Sequence, residues 1–163
     1  MAMTHPLQRL SPPAQKRALF ILAILTLVVM GAFRIIDRPL QTSAAPAGIV
    51  SFELAGSLPA AQAMIASWDR QAQLLAAFGL GLDYLFMPLY ATAIALACVV
   101  AAGGPLAGHR WLVAVGLVLA WSVWLAALLD AIENYALLQV LLGAEVAAWP
   151  ALAAWCATLK FLL

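Results

Sequence analysis

The sequence predicts an all-α, polytopic membrane protein: a four-transmembrane-helix bundle with one extracytoplasmic amphipathic helix. Three observations lead there. Of the 163 residues, 66% are hydrophobic and only 9% are charged, against about 25% charged in a soluble domain. Mean hydropathy is +1.02, so the bilayer must solvate most of the chain. The apolar residues fall in runs of helix-spanning length, broken by proline, glycine and charge. The one stretch that partly alternates, Ile49–Ala55, is too short and isolated to make a sheet.

Residues 1–15 are polar and carry Pro6, Pro12 and Pro13; they are expected to form a mobile cytoplasmic tail. The membrane domain is then 16–163. Its first span, 16–36, covers the ~30 Å hydrocarbon core at 1.5 Å per residue. Arg34, Asp37 and Arg38 follow the apolar core, as at a retained helix end rather than a signal-peptide cleavage site. Pro39 disfavours helix at the residue before it.

Residues 37–72 form the expected extracytoplasmic segment. Within it Ser57-Leu58-Pro59 reads as a helix start. Leu58, Ala61, Ile65 and Trp68 recur at helical spacing, which predicts an amphipathic helix over 59–70. It either lies on the bilayer with Trp68 at headgroup depth or forms a lid on the bundle. The second span, 73–100, contains Pro88, a kink signal, and ends at Gly103-Gly104-Pro105. The third, 111–134, follows His109-Arg110, and its helix has no breaker before Gly143. The fourth, 146–163, carries Lys160 near its end. Counting lysine and arginine near the membrane favours both termini inside: Arg9, Lys16, Arg17, Arg110 and Lys160 against Arg34, Arg38 and Arg70.

Acids within apolar runs mark where function should be sought. A charged side chain at the bilayer centre costs roughly 2.5–3.5 kcal/mol on insertion scales, so one that is kept is turned inward, paired or used. Asp83 lies in the second run. Asp130, Glu133 and Asn134 end the third, at i, i+3 and i+4, and so share a helix face. Counted from the outer surface, Asp83 should be about 15 Å deep and Asp130 shallower. Arg34 and Asp37 end the first span on that side, and Arg34 is the expected counter-ion for Asp83 or Asp130. Tyr84 and Tyr90 flank Asp83 and could bond it. An acid ringed by tryptophan and tyrosine could also hold a cationic amphiphile.

Other chemistries lack their residues. The two histidines, His5 and His109, lie outside the spans, so no metal centre and no haem is expected. Cys98 and Cys156 read as free apolar fillers. No phosphate loop, nucleophile elbow or zinc-protease motif is present. A net charge of +1 gives no reason to expect nucleic acid, and no cofactor is implied.

The strings Leu82-Asp83-Tyr84-Leu85-Phe86 with Tyr90, Asp130-Ala-Ile-Glu133-Asn134, and Leu159-Lys160-Phe161 resemble those of small bacterial integral membrane proteins with no assigned activity. The resemblance runs from about Ile49 to the end. It implies a multi-pass protein of the bacterial inner membrane and brings no reaction with it. The leading expectation is a non-catalytic accessory or scaffold protein, packing on membrane lipids, on partner subunits or on its own copies. The runner-up is a lipid-binding or small-molecule-binding protein, with an enzyme among its forms, using Asp83 and the Asp130 cluster. A proton or ion conductor ranks third, because four spans make a poor pore alone.

Overall fold

Pro12 and Pro13 open the first long helix, α1 (Pro12–Ile36), in the turn where a missing N–H costs nothing. In the computed structural model, which describes residues 4–163, α1 is followed by α2 (Ile49–Glu53), α3 (Leu58–Ser67), α4 (Arg70–Gly103), α5 (Arg110–Leu141) and α6 (Ala148–Leu162). Short 3₁₀ turns lie at Pro6–Arg9 and Arg38–Leu40. Three stretches, Pro12–Leu40, Arg70–Gly103 and Arg110–Leu141, are long and apolar enough to cross a membrane. Their outward side chains say the same: Phe20 and Ile35 are 67% and 69% exposed, a surface that only lipid covers cheaply.

α4 is the centre of the bundle. α1 and α5 both pack along it, and α6 packs on α5. Cross-helix contacts give the register. Phe33 of α1 meets Phe86 of α4 edge-on, at 5.3 Å between centroids. A Cβ on Gly79 would sit 3.4 Å from Ile36. Thus α1 and α4 run antiparallel, with the end of α1 beside the start of α4. α5 returns antiparallel to α4, its Asn134 level with Asp83 and its Asp130 level with Tyr90. α6 folds back along α5 after Gly143, whose φ of 91° suits glycine. Among the described residues, α1 approaches α5 and α6 only marginally.

Residues 37–69 build a cap over one end of this bundle. Phe52 is fully buried and Trp68 is 3% exposed; their rings meet edge-on at 5.3 Å. The Trp68 indole N–H donates to the carbonyl of Leu40 at 2.8 Å. Of the two placements expected for this segment the structure shows the lid: Trp68 is a core residue of a cap packed on Ala136, Leu137, Val140 and Ala153. The helix expected over 59–70 ends at Ser67, and Asp69 caps α4 by accepting from the Ala72 N–H at 2.7 Å. Asp37 ties the cap to α1. Its carboxylate accepts from the Ile49 N–H at 2.7 Å and from the Gln41 amide at 3.3 Å.

Gly48 makes that tie possible. Its φ is 57°, and a Cβ there would collide with the Asp37 carboxylate. Gly48→Ala is expected to destabilise the protein by about 2 kcal/mol through backbone strain alone, and by more from the lost bond to Ile49. Thermal unfolding in detergent, with Gly56→Ala as a positive-φ control lacking the collision, measures the excess.

The expected mobile tail is ordered from residue 4 on; its first three residues lie outside the described part. His5 accepts from the Leu7 N–H, Gln8 accepts from the His5 N–H, and Gln15 donates to the carbonyls of Leu7 and Leu10. His5 is 4% exposed and packs on Trp121, whose indole donates to the Thr4 carbonyl at 3.3 Å. Prolines that discourage long helix here shape a hook that docks on α5.

Candidate functional site

The one lysine of α6 organises the polar interior. Lys160 Nζ lies 2.6 Å from Asp130 Oδ1, 2.9 Å from Glu133 Oε2, 3.0 Å from Glu133 Oε1 and 3.6 Å from Glu53 Oε2. Glu133 is fully buried, and its Oε2 faces Nζ without aligning for a hydrogen bond. Asp130 accepts a second bond from the Tyr90 hydroxyl at 3.2 Å. One turn nearer the cap, Asn134 donates its amide to Asp83 Oδ2 at 2.7 Å and to the Leu80 carbonyl at 3.3 Å. The helical spacing of Asp130, Glu133 and Asn134 aims all three inward: they are 6%, 0% and 2% exposed.

Four expectations change. Arg34 is exposed, and among the described residues every ion pair runs to Lys160; the counter-ion is Lys160. Phe33 and Ile36 in the last turn of α1 line the groove with the carboxylates, whereas Arg34 lies on the outer face of that turn and makes no ion pair. Asp37 belongs to the cap tie rather than to the cluster. Tyr84 does not bond Asp83; its hydroxyl donates to the Ala131 carbonyl at 2.9 Å. Asp130 is not shallower than Asp83, because the antiparallel register sets Asn134 level with Asp83 and Asp130 about one turn further from the cap, where it meets Tyr90.

Lys160 also changes the reading of the fourth span. α6 has 15 residues, about 22 Å by rise, short of the ~30 Å core. Its lysine stands beside Glu53 of the cap-side segment, so it marks the cap half of the bundle rather than the opposite face. Glu53 itself was not singled out from sequence, because a lone glutamate in a surface segment carries no signal. Burial pushes its carboxyl up from the ordinary value; Lys160 pulls it back, and Asp130 adds to the rise.

The cluster heads a groove of about 1000 Å³. α4 forms its floor; α1 makes one wall, and α5 with the end of α6 makes the other. The separation of α1 from α5 creates it. Near the cap it is lined by Glu53, Asp83, Asp130, Asn134 and Lys160. Phe33, Phe86 and Tyr90 follow, their rings in successive contact at 5.3 and 5.1 Å. Beyond them the lining is apolar apart from the Thr26 hydroxyl and the Cys98 thiol, through Ala93, Ala97 and Val123 to Leu19. Leu27, Ile94 and Phe161 line it and are 65%, 47% and 60% exposed, so it opens sideways, where lipid would stand. Among the described residues no cluster of histidine, cysteine and acidic side chains could hold a metal ion, and both cysteines are free. No protein-family model, no curated protein and no solved structure matches this chain.

Proposed function

We propose that this protein binds one amphiphile taken sideways from the bilayer, its apolar chain in the groove and its head against Glu53, Asp83, Asp130 and Lys160. The carrying observation is the groove: a long, laterally open, mostly apolar channel with its carboxylates and its lysine at one end. That division of polarity matches a molecule with one tail and one head. Three helices cross the bilayer in this reading, and α6 enters the cap-side half as far as Lys160. Arg9, Lys16, Arg17 and Arg110 outnumber Arg34, Arg38 and Arg70, a bias that supports a cytoplasmic bundle end opposite the cap and an extracytoplasmic cap. The inner membrane of a bacterium is the setting implied by the resemblance of the motif strings.

Native mass spectrometry of the protein released from its own membrane in mild detergent tests this. The expected spectrum shows the 17.2 kDa chain with one small adduct that survives gentle activation. Bare chain under every gentle condition would overturn the proposal. A second polypeptide in fixed ratio would favour the scaffold reading, which draws on the same ion pairs: Lys160 ties α2, α5 and α6 together whether or not a ligand is bound.

A further inference from the structure

The proposed head site is unbalanced in charge. Glu53, Asp83, Asp130 and Glu133 contribute four carboxyl groups, and Lys160 is the one cation that reaches them among the described residues. Isolated charge is costly in such surroundings, by several kcal/mol per ion even after relaxation. The excess must be met by protons or by a cation from outside.

Most of the donors are also engaged. Lys160 turns to three carboxylates, the Tyr90 hydroxyl to Asp130 and the Asn134 amide to Asp83 and Leu80. Lys160 hydrogen-bonds Asp130 and Glu133 and stands 3.6 Å from Glu53, so an incoming anion would find at most one N–H of Lys160, shared with Glu53, and would add charge of the wrong sign. A carboxylate has about four lone-pair sites. Asp83 has one side-chain bond, and its other oxygen stays available on the groove wall. Directly below lie the rings of Phe33, Phe86 and Tyr90, whose π faces attract a cation.

We infer that the groove selects a single-chain amphiphile with a cationic amine head, seated between Asp83, Asp130 and Glu53, over one with a phosphate or a neutral hydroxyl. The inference rests on the groove reading above and adds to it the sign and donor character of the head. The amine N–H groups would donate to the free carboxylate oxygens while the tail runs past Ala93 and Ala97.

Tail-dansylated hexadecylamine, hexadecanol and hexadecyl phosphate make the test. Each is titrated into nanodiscs of neutral phosphatidylcholine containing the full chain, with energy transfer from tryptophan read against empty discs. The amine is expected to bind at least tenfold tighter than the alcohol, and the phosphate more weakly than either. Asp130→Asn and Glu53→Gln should each cut the amine preference to less than threefold; Glu53→Gln, on the rim, preserves the inner Lys160 pairs and serves if Asp130→Asn fails to fold. Equal binding of all three, tightest binding of the phosphate, or an amine preference untouched in every folded variant would overturn the amine inference and leave the groove reading standing. Binding of none would overturn the groove reading as well.

Discussion

Lys160→Met should destabilise the protein by about 3–5 kcal/mol, the usual cost of removing one partner from a buried ion pair. Lys160 is 13% exposed at its side chain and faces Asp130 and Glu133, which are 8% and 0% exposed there. Methionine keeps the volume and the apolar stem but leaves those carboxylates without their cation. They must then take up protons or draw in water, and α6 loses its hold on α5 and the cap. The diagnostic comparison is Lys160→Met with Glu133→Gln: if the charges are the cause, the second change recovers part of the loss, and the double-mutant cycle shows a coupling well above the ~0.5 kcal/mol of independent sites. Lys160→Arg should cost less, since it keeps the charge in altered geometry. Thermal unfolding in detergent at fixed pH reads all five proteins. A methionine variant as stable as wild type would show that the cluster is already neutralised by protons.

Lys160 also shows what was legible in the sequence and what was not. The three long helices could be read because a run of about 20 apolar residues has few other fates. The inward face of Asp130, Glu133 and Asn134 could be read because i, i+3 and i+4 share a side of any helix. The partners could not. Lys160 meets Asp130 and Glu133 from 30 and 27 residues away, and a lysine near the end of an apolar run is the ordinary mark of a membrane boundary. Arg34 was the expected cation because it ends the first span on the side assigned to the acids, but the rotation of α1 about its axis turns it to the surface. Depth failed for a related reason. Counting from an assumed membrane edge made Asp130 shallow, whereas its true level is set by the pairing of α5 with α4. Trp68 stayed open between interface anchor and lid residue because a tryptophan beside charged residues resembles an anchor, and only the Leu40 carbonyl beneath it makes it a core residue. The groove was invisible from sequence, because it arises from two helices that fail to meet.

Filling that groove should abolish amphiphile binding while sparing the fold, which separates a working cavity from a packing defect. Ala97 is exposed on the α4 side of the groove, and Ala126 is half-buried on the α5 side, one turn from Asp130 on the far side from the cap. Tryptophan at either position puts an indole where the tail would lie. Overpacking a tight core costs typically 1–3 kcal/mol, but at Ala97 there is open space, so the change in stability should be below about 0.5 kcal/mol, as at an ordinary surface site. Leu128→Trp is the matched control, because Leu128 is 58% exposed on α5 and does not line the groove. Binding is expected to fall at least thirtyfold in Ala97→Trp and in Ala126→Trp and to stay within twofold of wild type in Leu128→Trp, read as the fraction of chains carrying the adduct in native mass spectra. Unchanged binding in both groove variants would mean that the amphiphile sits elsewhere on the lipid-facing surface. The polar cluster would then be a clamp that holds α2, α5 and α6 together, with Lys160 at its centre and no ligand to receive.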